Sequence, residues 1–168
     1  MPTLDPADNG VVELRPVDPD LFRCLLRRRA STETVITMPG LAGGRRLPSL
    51  PPVAVTAASL TPVSVEPPTI SFRLDRRSAR WRAAERAEHL GVHLIAPGGL
   101  LGRPAWTSGP FGVPLIEDAA GVLLCRVVRR IEVGDHTVVF GEPLALGEGE
   151  QGDYAVHHAD HTVGLARW

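Results

Sequence analysis

The 168-residue chain has no lysine; all 18 of its basic residues are arginine. Without a lysine amine there is no Schiff base, which excludes pyridoxal phosphate anchoring and lysine-dependent aldolase chemistry. A P-loop, which requires Gly-Lys-Ser/Thr, is excluded too. Cysteine is nearly as scarce, with only Cys24 and Cys125. Two thiols so far apart build neither a disulfide framework nor a four-thiolate zinc site. Aromatic residues are 5% of the chain, which with a modest basic surplus argues against nucleic acid as a partner. No apolar run approaches the ~18 residues of a membrane helix, and the N-terminus lacks a basic-then-apolar signal pattern. A soluble cytoplasmic protein without a membrane partner is expected. There is no Gly-x-Ser-x-Gly elbow, and no G-x-G-x-x-G follows a strand-like run.

What is present reads as one globular domain, with 43% hydrophobic and 22% charged residues. The net charge of −1 is unevenly distributed: residues 1–20 carry −4, residues 21–140 carry +7, and residues 141–168 carry −4. A basic centre between acidic ends suggests an anionic ligand held by the central region.

The stretch 1–20, with prolines at 2, 6, 16 and 19, is expected as a flexible N-terminal arm, and 21–168 as the folded domain. Leu21–Arg29 suits a short helix. Strands are predicted over Thr34–Met38, Val53–Leu60, Thr69–Leu74, Gly91–Ala96, Val122–Ile131, Thr137–Leu144 and, near the end, Tyr154–His158. Ser78 is a plausible N-cap for a helix over Ala79–Glu88. The glycine- and proline-rich stretches 39–52 and 97–114 are expected as irregular loop. About six strands, one clear helix and no alternating βαβ pattern predict a mainly antiparallel barrel or sandwich.

Three segments can carry chemistry. Gly134-Asp135-His136 opens a strand with a turn, so His136 stands at the strand's mouth, either meeting a ligand or simply solvated. Thr56 to Pro68 (TAASLTPVSVEPP) gathers hydroxyls and backbone amides around a bend, where they can bind a phosphate or ring carbonyls. Arg76-Arg77-Ser78-Ala79-Arg80 puts guanidinium groups at a predicted helix start, a phosphate site or a solvated helix end. Trp81, Trp106 and Trp168 serve either core packing or the capping of a planar ligand. His157, His158 and His161 have metal-ligand chemistry, but strand alternation gives poor geometry for three ligands, and no metal site is expected.

TAASLTPVSVEPP at 56–68 and GDHTVVFGE at 134–142, in that order with a strand–helix–strand between them, resemble the flavin reductase-like family. The likeness extends to VLLCRVV at 122–128 and the strand at Tyr154, and runs from about Leu21 to the C-terminus. It implies an antiparallel six-stranded Greek-key split barrel with one or two short helices. It also implies a homodimer with FMN, or FAD in its place, near the subunit interface. NADH or NADPH would reduce the flavin, which would then pass to a partner flavin-dependent monooxygenase. Carried over by motif, Thr56, Ala57, Ala58 and Ser59 line the flavin ring, largely through backbone groups, and Val63 and Ser64 border it. Arg77, Ser78 and Arg80 face the phosphate, and His136 lies near the ring or the nicotinamide as the catalytic candidate. Two alternatives remain at this stage: a barrel that binds flavin without turnover, and a flavin-independent barrel repurposed as an isomerase or cyclase on a small molecule.

Overall fold

A computed structural model describes residues 5–6, 14–28, 33–43, 45, 50–57, 59–96, 104–148, 155–158 and 161–164; for residues 5–6, 28, 148, 155–158 and 161–164 only the backbone is described. In chain order the elements are β1 (Asp5–Pro6), β2 (Arg15–Pro16), α1 (Pro19–Arg28), β3 (Glu33–Met38), β4 (Val53–Thr56), β5 (Leu60–Val65), β6 (Pro68–Asp75) and α2 (Trp81–Arg86). There follow β7 (His89–Ile95), β8 (Ala105–Ser108), β9 (Pro114–Ile116), β10 (Gly121–Val133), β11 (His136–Glu148), β12 (Ala155–His158) and β13 (His161–Gly164).

The main sheet has the order β4-β3-β7-β10-β11-β6-β5, with the two residues of β2 added beside β11. Every pairing in it is antiparallel. β4 and β5 are the two ends of this order, yet only residues 57–59 join them. The four Cα steps from Thr56 to Leu60 span at most about 14 Å. The sheet must therefore roll until its edges approach, which gives a barrel with an unpaired seam between β4 and β5.

Strand alternation sends neighbouring residues to opposite faces. One face packs Phe22 and Leu25 of α1 with Ile36, Phe72, Val92, Leu94 and Leu123. The other packs Val35, Ile95, Val122 and Leu124 under Val113, Leu115 and Ile116. The central strands are thus covered on both sides, which accounts for their continuous apolar runs such as VLLC.

Mainly antiparallel β architecture with two short helices meets the expectation, with differences in detail. The predicted strand Val53–Leu60 is two elements, so the main sheet has seven strands besides β2 rather than six. The break at 57–59 arises because β4 pairs with β3 while β5 pairs with β6. β5 itself was not predicted; a two-residue turn containing the cis Glu66–Pro67 bond returns it to β6. Helix α2 is shorter than expected, and its N-cap is Arg80, without a side-chain cap. Ser78 is not the N-cap: its Oγ accepts from the Arg80 N–H at 3.3 Å, inside the turn before the helix. The far end of α2 is closed from outside, by the Arg130 guanidinium donating to the Ala84 and Ala87 carbonyls. The stretch expected as loop at 97–114 contains β8, the beginning of β9 and a 3-10 turn over Pro110–Gly112. Of the expected arm, Arg15–Pro16 pairs with β11, and α1 begins at Pro19. Its first turn is capped by Asp18, whose Oδ1 accepts from the N–H groups of Asp20 and Leu21.

Candidate functional site

β6 ends where β11 begins, with Asp75 opposite His136 and Leu74 opposite Thr137. From Asp75 the chain turns into α2, and Gly134-Asp135 makes the two-residue turn between β10 and β11. Gly134 has φ +59, the left-handed backbone a type II′ hairpin requires at its first central residue. The two turns are joined: the Arg76 N–H donates to the Asp135 carbonyl at 2.9 Å, and the Arg76 guanidinium pairs with Glu132 at 3.1 Å.

Beside these turns lies a cleft of about 360 Å³. Val55 and Thr56 of β4 form one wall, Arg73, Leu74 and Asp75 of β6 another, and Trp81 and Ala84 of α2 a third. Ser78, Arg80 and His136 complete it. Val55, Leu74, Ala84 and the Trp81 ring supply apolar surface. Ser78, Arg80, Arg73 and His136 supply donors.

The charges around the cleft are unequally engaged. The Asp75 carboxylate accepts from the Arg77 N–H at 2.8 Å and from the Arg77 guanidinium at 3.1 and 3.2 Å. These bonds hold Asp75 below the usual carboxylate range. Arg77 also pairs with Asp135 at 3.2 Å, and the guanidinium, fixed first by Asp75, is held further into its charged form. Asp135 is lowered chiefly by its hydrogen bond to His136, at 2.6 Å from Nδ1. An ionised carboxylate only accepts, so Nδ1 carries the hydrogen and Nε2 is the nitrogen left for another partner. Arg73 Nε donates to Ser59 Oγ at 3.2 Å. Arg80 has no carboxylate partner among the described residues.

Of the residues singled out in the sequence, Thr56, Ser78, Arg80, Trp81 and His136 meet at this cleft. Arg77 stands beside it, engaged by two carboxylates. Ala57 is buried, and its N–H is taken by the Thr34 carbonyl at 2.9 Å, so it has none to offer a ligand. That bond makes Ala57 a hydrogen-bonded member of the β3–β4 ladder. The alternation of an antiparallel ladder then turns the N–H and C=O of Thr56 away from β3, toward the seam. Ala58 lies outside the described residues. Ser59 is tied to Arg73. Val63 and Ser64 are on β5, outside the cleft, with Val63 at a register shift and 52% exposed. Sequence reasoning missed Val55, Arg73, Leu74, Asp75 and Ala84 as cleft residues. The alternation in TISFRLD was the available signal for Arg73 and Asp75, which share a face. Among the described residues no group of His, Cys, Asp and Glu forms a metal site, and the side chains of His157, His158 and His161 are not described.

Residues 103–166 match the domain family described as flavin reductase like domain. An NADH:FMN oxidoreductase of Rhodococcus qingshengii is 30% identical over 134 residues, 71% of this chain and 66% of the relative. The chain belongs to the flavin reductase-like family. The reductase subunit of a flavin-dependent monooxygenase from Rhodococcus jostii is 27% identical to this flavin reductase-like chain, over 83% of the chain and 74% of the relative. Among solved structures, a flavin reductase domain protein from Arthrobacter superimposes with a TM-score of 0.60 at 24% identity, covering 90% of this chain and 98% of that one. A Streptomyces globisporus NADH:FAD oxidoreductase in complex with NAD and FAD fragments gives 0.58 at 23% identity, covering 90% and 97%. The split barrel expected for the family is the fold of this flavin reductase-like chain.

Proposed function

We propose that this chain is an NADH- or NADPH-dependent flavin reductase that takes FMN in the cleft and supplies reduced flavin to a partner monooxygenase. The observation that carries this reading is the composition of the cleft in a chain of this family. An apolar wall of Val55, Leu74, Trp81 and Ala84 runs to Ser78 and to Arg80, which has no carboxylate partner among the described residues. That donor set suits a flat apolar ring with an anionic tail, which describes FMN and fits FAD as an alternative. Ser78 and Arg80 would hold the phosphate by charge-assisted hydrogen bonds. The Thr56 N–H, turned toward the seam, would meet the ring edge, and Trp81 would lie against the ring. His136 would present Nε2 to the ring or to the nicotinamide. When bound, the flavin supplies the hydride acceptor at N5 for the nicotinamide C4 hydride. The chain needs no general base for that step; its residues hold the two partners at reacting distance.

The chain would act as a homodimer. Val63 on the edge strand β5, and Val128, Ile131 and Val133 on the far half of β10, are exposed apolar residues, a surface of the kind subunits cover. The partner monooxygenase is the reading favoured by the relative from Rhodococcus jostii, the reductase subunit of such an enzyme.

NADH oxidation, followed by absorbance with and without added FMN, tests the activity. Flavin-dependent turnover well above the rate without protein is expected. No turnover with NADH or NADPH at saturating FMN would exclude a reductase. Light scattering of the purified chain checks the assembly, with twice the chain mass expected.

A further inference from the structure

Asp135 and His136 are neighbours in sequence, and neighbours in a strand face opposite ways. Here Asp135 belongs to the turn, and its Oδ1 comes back to within 2.6 Å of His136 Nδ1. Its other oxygen, Oδ2, is held at 3.2 Å by the Nη2 of Arg77. Arg77 is itself anchored by Asp75, through two guanidinium contacts and its own backbone N–H. The result is a continuous chain, Asp75–Arg77–Asp135–His136, that ends on a cleft-lining imidazole.

Stability is a poor explanation for this chain. The Arg77 side chain is 71% exposed and that of Asp135 54%, and exposed ion pairs contribute little to folding. Direction is the better one. A carboxylate gripped at both oxygens by two different partners has one orientation, and a histidine bonded to it has one tautomer. We propose that Asp135 and Arg77 are positioning residues for His136. Asp135 keeps the hydrogen on Nδ1. Arg77 fixes Asp135 against Asp75. Nε2 is thereby presented to the cleft as an acceptor for an amide-type N–H of the bound ligand while the ring is neutral. Arg77 then belongs to the histidine's support, and the phosphate is left to Ser78 and Arg80. The identity of the ligand rests on the flavin reductase reading; the tautomer and its cause do not.

The test is nitrogen-15 NMR of the His136 ring in the full chain without ligand, at alkaline pH where the ring is neutral. The signals are assigned by their loss in His136→Gln. In the wild type a protonated Nδ1 and a bare Nε2 are expected. Asp135→Ala should move the hydrogen toward Nε2, with Arg77→Gln intermediate. A wild-type ring with its hydrogen on Nε2, or a ring unmoved by Asp135→Ala, overturns the proposal. With NADH and FMN, both variants should lower kcat on the order of tenfold, the scale of one lost charged hydrogen bond, while FMN affinity stays within about twofold. Weakened FMN binding by Arg77→Gln at unchanged kcat would return Arg77 to the phosphate and overturn its positioning role. If wild-type protein oxidises no NADH, the reductase reading fails, and the ring spectra alone decide whether Asp135 sets the tautomer.

Discussion

At the scale of single residues, Arg80 separates a phosphate site from a general basic patch. Three arginines near it are engaged: Arg76 by Glu132, Arg77 by Asp75 and Asp135, and Arg73 by Ser59. Arg80→Ala is expected to weaken FMN binding by about 1–3 kcal/mol, the range for a lost hydrogen bond to a charged group. Riboflavin, which lacks the phosphate, should be little affected. Titration by flavin fluorescence compares the two, and equal losses would remove Arg80 from the phosphate. A second residue, His93, titrates with the fold. It is fully buried, its Nδ1 lies 3.3 Å from the Val35 carbonyl, and burial pushes its pKa down to about 4. In the unfolded chain the ring titrates near 6.5, so between these values the unfolded state binds a proton the native state does not. Stability should therefore fall as pH drops from about 6.5 to about 4, by about 3 kcal/mol in all. Urea midpoints across that range would reveal it, and His93→Gln should flatten the dependence. A variant with the wild-type slope would assign the effect to another group. Asp75 and Asp135, both lowered, act further down: their contribution is present above the usual carboxylate range and is lost as they protonate.

At the scale of elements, α2 is too short to hold itself, and six residues are marginal without outside help. Its carbonyls at Ala84 and Ala87 are bound by Arg130, which comes from β10 and is partly desolvated there. Arg130→Ala should destabilise the fold by about 1–3 kcal/mol by leaving these acceptors without their charged donor. Because Trp81 and Ala84 line the cleft, FMN binding should weaken as well. Thermal melts and flavin titration of the same variant measure both, and an unchanged melt would deny Arg130 its capping role. In the sheet, Gly91 has no room for a side chain: a Cβ there would stand 2.6 Å from Thr37 Oγ1 and 2.7 Å from His93 Cε1. Gly91→Ala should destabilise by about 1–3 kcal/mol through overpacking. Gly134→Ala meets nothing within 4 Å, so its smaller cost comes from the positive φ alone. Denaturant midpoints of the two variants test that order.

Local pattern explains which elements were legible. TISFRL and the long runs of β10 and β11 carry their strand signal in a few consecutive side chains. The division of Val53–Leu60 is invisible locally, because what breaks the run is a change of pairing partner from β3 to β6. Ser78 looked like a cap because it precedes an alanine-rich stretch, but its Oγ accepts from the Arg80 N–H within the turn, which Asp75 and Arg77 brace with their own contacts. Arg130 was beyond reach for the same reason, since its acceptors lie 46 and 43 residues earlier. Within the site, His136, Ser78, Arg80 and Thr56 were legible because short motifs carried them. The engagement of Arg77 by Asp135 was not, since it depends on two turns 58 residues apart meeting in space.

At the scale of the whole molecule, the chain closes by connectivity and leaves one gap in its hydrogen-bonded circumference. The cleft opens where β4 faces that gap, and the peptide groups of Thr56 point into it. A flavin seated there would act as a rung inserted into an incomplete ladder, meeting main-chain groups that are turned away from β3. Loading with FMN would then slow the exchange of the Thr56 amide with solvent before it altered that of the central strands. The empty barrel would breathe at its seam, and the ligand would be the part that latches it.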